Sequence, residues 1–328
     1  MASFFGFLRQ KISEDDLVDL HGKVVLITGG NSGIGFTTIQ FLARRGAKVY
    51  MACRREEAYE DALKRLNQAG LGDGSVHWLH LDLSDPRLAN KAAKEMLRKE
   101  RRLDILINNA AKGNGPYAMT KDGMRESMVV NYLSHFVFTE TLLPLLIRTS
   151  KEEGSDVRIV NVSSSVHPNV TPHTLKGKES WNIDFGDTTL GRINFYGLSK
   201  LANILHAKNL QGRLDAQKVN ITCIAVDPGK IVTENTRRWF DSIESRLNGV
   251  LARIYVSLLF VSPREGAMNS AYAAASPEVK AQGRAFKSVY LTPVGRVTDP
   301  SPHARDERLA QELYDTSMEI VKEMKLEL

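Results

Sequence analysis

The sequence has little cysteine: Cys53 and Cys223 are the two in 328 residues. Both fall in apolar runs that read as strands. No disulfide framework is therefore expected, and a reducing, cytoplasmic setting is. No run of about 18 uncharged apolar residues occurs, which argues against a membrane-spanning helix. The apolar start, Met1 to Leu8, is short, is followed by Arg9 and Lys11, and carries no small-residue cleavage pattern, so it does not read as a signal peptide. The final Lys325-Leu326-Glu327-Leu328 resembles an endoplasmic-reticulum retention signal only faintly, and without a leader it is discounted. No spacing of His, Cys, Asp or Glu suits a metal ion. The net charge is +6, yet Lys and Arg form no block with interleaved aromatics, so nucleic acid is not an expected partner. Linkers, repeats and low-complexity stretches are absent too.

What is present is alternation. Strand-like runs at 23–28, 47–52, 75–81, 103–108, 157–163 and 219–226 are separated by helical patterns at 34–45, 56–68, 86–101, 124–147 and 195–214. Parallel neighbours need a crossover, so this order predicts βαβ units. The strands are apolar on both faces, as in a sheet covered by helices on both sides. The expected fold is α/β: a single doubly wound Rossmann-type domain with a central parallel sheet of about seven strands. Residues 1–20 read as an N-terminal extension and 21–328 as the domain. The stretch 166–191, with its Pro, His, Thr and Gly, reads as an irregular insertion.

Between the first strand and its helix lies Thr28-Gly29-Gly30-Asn31-Ser32-Gly33-Ile34-Gly35. A glycine allows the sharp turn and another lets a pyrophosphate approach the backbone. The helix N-terminus then offers free N–H groups and a positive dipole end. The second strand ends Ala52-Cys53-Arg54-Arg55, where a site preferring NAD usually has an acidic residue for the ribose 2′-hydroxyl. A guanidinium suits a 2′-phosphate instead, which favours NADP (NADPH) and Arg54 as its partner.

Further along, Tyr196-Gly197-Leu198-Ser199-Lys200 places Tyr196 and Lys200 on one face at the start of an expected helix. An adjacent ammonium favours the phenolate and would lower the tyrosine pKa. Tyr196 could then exchange a proton with a carbonyl or alcohol oxygen. Upstream, 159–162 leads into Ser163-Ser164-Ser165, hydroxyls at the carboxyl end of a parallel strand, where ligands bind in such sheets.

Taken together, these pieces resemble the short-chain dehydrogenase/reductase family in its classical form. The matching residues are Thr28-Gly29-x-x-x-Gly33-Ile34-Gly35, Asn108-Asn109-Ala110-Ala111, Asn131, Ser164, Tyr196-x-x-x-Lys200 and Pro228-Gly229, in family order. The resemblance implies that Tyr196 is the general acid–base and that Lys200 tunes it and binds the nicotinamide ribose. It implies that Ser164 orients the carbonyl and that Asn131 holds a water relaying protons to Lys200. It further implies that Gly29, Asn31, Ser32, Gly33, Ile34 and Gly35 cradle the pyrophosphate. Asp82 and Leu83 would meet the adenine, Asn108, Asn109 and Ala110 would flank the adenosine half, and Ile231 and Thr233 would meet the carboxamide. Two departures stand out: Ala111 replaces a usual glycine, and the gap from Ser164 to Tyr196 is long. Such an insertion, the run Lys200 to Leu205 and the string Ser262-Pro263-Arg264-Glu265-Gly266-Ala267 resemble the retinol-dehydrogenase-like and WW-domain-oxidoreductase-like subgroup.

Residues 234–262 carry apolar side chains at spacings near three and four, the pattern of an amphipathic helical lid over a hydrophobic ligand. The expected activity is thus NADP-dependent hydride transfer with an apolar small molecule of terpenoid, retinoid, steroid or polyketide type, as in a ketoreductase of secondary metabolism. A non-catalytic NADP-binding regulator or scaffold on the same fold is the alternative, disfavoured by the complete Asn131, Ser164, Tyr196 and Lys200 set. Arg237, Arg238, Arg253 and Arg264, with Phe4, Phe5, Phe7 and Leu8, suggest peripheral contact with an anionic membrane surface. The helices at 124–147 and 195–214 are candidates for a homodimer interface.

Overall fold

The computed structural model describes residues 12–113, 118–229 and 263–328. In chain order the strands are β1 (Val24–Thr28), β2 (Lys48–Cys53), β3 (Ser75–His80), β4 (Ile105–Asn108), β5 (Val157–Val162), β6 (Ile221–Val226), β7 (Tyr290–Thr292) and β8 (Arg296–Thr298). The helices are α1 (Gly33–Arg44), α2 (Glu56–Ala69), α3 (Pro86–Lys99), α4 (Glu126–Ser150), α5 (Thr189–Ala216), α6 (Pro263–Ala275), α7 (Pro277–Ala281), α8 (Pro302–Arg305) and α9 (Glu307–Glu323).

The strands form one eight-stranded sheet in the order β3-β2-β1-β4-β5-β6-β7-β8. All pairings are parallel except β7 with β8, which is antiparallel. From β1 the chain steps outward to β2 and β3, then returns to place β4 on the other side. The order reverses between β1 and β4, and a crevice opens there at the carboxyl ends. The expected parallel α/β sheet is observed. β7 and β8, three residues each, were too short to stand out as periodic runs.

Alternation along each strand assigns side chains to two layers. Leu26 and Ala52 face a core shared with α3, α4, α5 and α9, while Val25, Ile27 and Met51 face one shared with α1, α2 and α6. Leu17 and Leu20 are buried in the second core, and the Val18 N–H bonds the Ala275 carbonyl at 2.8 Å, so the described part of the N-terminal extension packs on the domain.

Two helices differ from their expected form. α5 begins seven residues before Tyr196, capped by Thr188, whose hydroxyl accepts the Gly191 N–H at 3.0 Å. Gly191 disguised this turn as loop, yet a Cβ there would lie 2.0 Å from the Gly186 carbonyl oxygen. α4 carries a π-helical turn at Val129–Leu133, before its Ser134–Ser150 segment. Length and apolarity would let α4 cross a bilayer, but most of it is buried inside the protein. α4 packs on α3 and α5 packs on α9, with Tyr132 Oη and Ser317 Oγ 2.6 Å apart. The irregular insertion is anchored to α9 as well: the Gly177 N–H bonds Thr316 Oγ1 at 2.8 Å, and Trp181 is fully buried.

Candidate active site

The turn from β1 into α1 is built by removing side chains. Gly29 and Gly33 have φ of +69° and +56°, the left-handed region that glycine enters without strain. A Cβ on Gly29 would lie 2.9 Å from Ala110 Cα, and one on Gly35 would lie 2.4 Å from the Gly29 carbonyl oxygen. A Cβ on Gly33 would instead meet nothing within 4 Å. Open space thus lies at the N-terminus of α1, where Ser32 makes no side-chain cap. First-turn N–H groups left this way bind an anion. The loop is stiffened from α2: Arg65 donates to the Asn31 carbonyl at 2.9 Å, its guanidinium over the Phe36 ring. Ile34 is half-buried beside Ser32, which is exposed.

The other expected nucleotide contacts are placed as follows. Arg54 is exposed at the end of β2. Asp82 Oδ1 accepts the Ser84 N–H, and Leu83 is buried with its carbonyl accepting from Ser134 Oγ at 2.8 Å. Asn109 Nδ2 donates to the Thr28 carbonyl at 2.7 Å and to the Gly29 carbonyl at 3.3 Å, so this side chain ties the end of β4 to the glycine turn. The Ala110 N–H bonds Thr28 Oγ1 at 2.9 Å. Asn108 lies inside the core instead, its amide donating to Thr139 and Asn161. Ile231, Thr233 and the 234–262 segment lie outside the described residues.

The catalytic candidates converge at the ends of β5 and β6. Asn131 Nδ2 donates to Ser199 Oγ at 2.9 Å, and Ser199 Oγ donates to the Tyr196 carbonyl at 2.7 Å. Lys200 Nζ, buried, donates to the Val162 carbonyl at 2.8 Å and sits 5.3 Å from the centre of the Tyr196 ring. The two adjacent serines separate cleanly. Ser163 is buried and donates to the Lys200 carbonyl at 2.8 Å, whereas Ser164 is half-buried with its hydroxyl beside the Val166 N–H at 3.4 Å. A buried hydroxyl already donating has little left for a ligand. Asn131 is also fully used: Oδ1 accepts the Lys112 N–H at 2.7 Å, and Nδ2 donates to the Lys112 carbonyl at 3.1 Å as well as to Ser199.

The electrostatics differ from the expectation at one point. Burial pulls Lys200 down to about 7, opposed by the Asp227 carboxylate. Burial, and then Asp227, push Tyr196 above its ordinary value. The lowering of Tyr196 expected from Lys200 is therefore not supplied by the chain alone, where desolvation of the phenolate dominates. Asp227 is itself buried, raised by desolvation, and accepts the Gly229 N–H at 2.9 Å.

Four contributors were not named as site residues from the sequence. Ser199 lies inside Tyr196-x-x-x-Lys200 and could have been found by its helical position. Asp227 directly precedes Pro228-Gly229 and carries no signal of its own in the sequence. His167 Nδ1 donates to the Ser164 carbonyl at 2.8 Å while Nε2 accepts the Ser301 N–H at 3.0 Å, a contact across 134 residues. His135 similarly bridges Asn131 and Thr28. No local pattern announces such partners. Arg264, expected at a membrane face, lies over the Phe41 ring and bonds Glu14.

The chain matches the family described as short chain dehydrogenase over residues 23–174. It is 44% identical to a short-chain dehydrogenase/reductase of Armillaria gallica, across 94% of this chain and 96% of the relative. It is 36% identical to retinol dehydrogenase 14 of Mus musculus, across 91% of this chain and 85% of that protein. Among solved structures, the RhlG/NADP active-site complex of Pseudomonas aeruginosa superposes with a TM-score of 0.62 at 25% identity, covering 84% of this chain and 96% of that one.

Proposed function

This chain belongs to the short-chain dehydrogenase family of oxidoreductases, and from that premise we propose that it uses NADPH to reduce a carbonyl, or NADP to oxidise an alcohol, on an apolar small molecule. The observation that carries the reading is the hydrogen-bonded series from Asn131 through Ser199 to the Tyr196 main-chain carbonyl, with Lys200 beneath the phenol and Ser164 left available at the end of β5.

The chain's residues fit the dinucleotide. The Gly29–Gly35 turn presents backbone and open space at a helix N-terminus, as a pyrophosphate requires. Arg54 is exposed at the end of β2, where the 2′-phosphate is met in folds of this type. Lys200 would hold the nicotinamide ribose. The bound dinucleotide supplies or receives the hydride. In reduction, Ser164 donates a hydrogen bond to the substrate oxygen and orients it. Tyr196, held above its ordinary pKa, carries its proton at neutral pH, which is the form needed to donate to the oxygen as the carbon gains hydride. Burial pulls Lys200 down to about 7 and Asp227 opposes that shift, and in its ammonium form Lys200 offsets the phenolate left behind. With the Asn131 amide fully used, a water relay through this residue would run through its main-chain oxygen.

Retinol, named in the mouse relative, is an apolar alcohol, which supports an apolar substrate class. The RhlG structure is a complex with NADP, which supports the cofactor preference drawn from Arg54. The test is titration with NADPH and with NADH, followed by absorbance at the nicotinamide band with a panel of apolar aldehydes and ketones. Tight NADPH binding with decay on a member of the panel is expected. Equal affinity for both nucleotides would remove the NADP assignment, and absence of binding would remove the whole reading.

A further inference from the structure

One buried imidazole connects the two ends of this site. Thr28, the last residue of β1, is fully buried, as is Asn131, and His135 is 2% exposed. Thr28 Oγ1 accepts the N–H groups of Asn109 and Ala110, each at 2.9 Å, and contacts His135 Nε2 at 2.8 Å. His135 Nδ1 lies 3.1 Å from the Asn131 carbonyl oxygen.

The proton positions follow from these partners. A carbonyl oxygen only accepts, so Nδ1 carries the hydrogen. Burial holds His135 down to about 4, so the ring is neutral and Nε2 is an acceptor. Thr28 therefore donates its single hydroxyl proton to Nε2 while accepting twice from the end of β4. Every polar atom in the series is matched, and no other tautomer satisfies it.

The placement gives this series a use. Thr28 adjoins Gly29, and its two N–H donors sit where β4 meets the same turn. Asn131 lies in the π-helical turn Val129–Leu133, a distortion that recurs at functional sites. Its amide is spent on Lys112 and Ser199, leaving its carbonyl oxygen as the atom His135 fixes. We propose that His135 is a positioning residue that holds the Asn131 main-chain oxygen in register with the nucleotide cradle, so that the proton-handling residues and the bound dinucleotide share one rigid frame. This rests on the oxidoreductase reading above.

Two variants separate the two bonds. An Asn amide nitrogen falls near the position of Nδ1, so His135→Asn keeps the hold on Asn131 and releases Thr28. A Gln amide oxygen reaches toward the position of Nε2, so His135→Gln keeps Thr28 and releases Asn131. One lost hydrogen bond at such a site corresponds to about a tenfold change. His135→Gln is expected to lower kcat by about tenfold with little change in the Kd for NADPH. His135→Asn is expected to raise that Kd by about tenfold with the smaller change in kcat. Equal losses in kcat and affinity in both variants, or wild-type values in both, would overturn the proposal.

Backbone amide NMR shifts provide the readout that needs no turnover. His135→Gln should move Ser199 and Tyr196 and leave Gly29 and Gly35, and His135→Asn should do the reverse. The same pattern in both variants would contradict the proposal. A wild-type protein that neither binds nucleotide nor turns over would end the oxidoreductase reading, while the shifts still decide the His135 link. If either variant fails to fold, Thr28→Ser and Thr28→Val replace it: the serine retains the donor and should match wild type in shifts at Asn131, and the valine should not.

Discussion

The cradle after β1 and the proposed catalytic cluster after β5 lie at the carboxyl end of one sheet, yet they are made in opposite ways. The cradle is made of backbone. Gly29 and Gly35 lie against their neighbours too closely for a Cβ, and Gly33 leaves the helix end open. The catalytic cluster is made of side chains taken out of water: Lys200, Asn131, Ser163, His135 and Asp227 are all buried and polar. Burying such groups is unfavourable unless each finds a partner, and here the partners come from distant parts of the chain. The cradle therefore depends on the space around a few consecutive residues, and the cluster depends on a network closed by the whole fold.

That contrast can be broken at either end. The largest effect on nucleotide binding is expected from Gly35→Ala. Its Cβ would press on the Gly29 carbonyl and on Asn109 Nδ2, at 2.4 and 2.6 Å, so the turn must open. Overpacking of this kind costs about 1–3 kcal/mol, and NADPH affinity measured by fluorescence titration should fall by about 10–100-fold or beyond detection. Unchanged affinity would show that the cradle is not set by backbone approach.

A comparable but selective loss is expected from Arg54→Ala. Charge-assisted hydrogen bonds contribute about 1.5–3 kcal/mol, so NADPH should bind about 10–100-fold more weakly while NADH is unaffected. Equal weakening of both nucleotides would assign Arg54 a general role.

The buried layer behind the cluster should show itself in acid. His206, buried in the α4–α5 layer, is pulled down to about 3 by desolvation, with Arg213 adding to the effect. Such a group is neutral in the fold and protonated when unfolded. Its contribution is complete above the unfolded value of 6.5 and is lost as pH falls toward about 3. His206→Phe, which keeps an aromatic ring against Tyr132 and Phe136, should flatten the acid limb of stability by up to about 1.4 kcal/mol per pH unit. Urea melts between pH 4 and 6.5 measure this slope, and an unaltered slope would remove His206 from the account.

The smallest effect distinguishes the two serines. Ser163→Ala loses one buried hydrogen bond to the Lys200 carbonyl, about 1 kcal/mol of stability by thermal melt, with kcat nearly preserved. A loss of turnover as large as that from Ser164→Ala would mean that the wrong serine faces the substrate.

The same contrast explains what could be read from the sequence. The βαβ order, the glycine spacing and the Tyr196–Lys200 pair are local patterns, and each survives as a string. Arg54 was named from its position at a strand end, and Ser164 was chosen among three strand-end serines from the family resemblance. His135, His167 and Asp227 were not, because their significance lies in partners such as Thr28, Ser301 and Lys200 that only the folded chain brings near. Gly191 misled for a related reason: it looks like a loop residue and is the first turn of α5. The three-residue β7 and β8 owe their place to the edge of β6 rather than to any periodicity of their own.

The central claim is that the cradle holds the dinucleotide while the cluster performs the proton transfer, and it is tested most directly in Tyr196→Phe, with NADPH titration and carbonyl turnover measured on one preparation. The account predicts unchanged NADPH affinity with turnover lower by about 10²–10⁴-fold, the usual contribution of a positioned acid–base group. Normal turnover in that variant would contradict it.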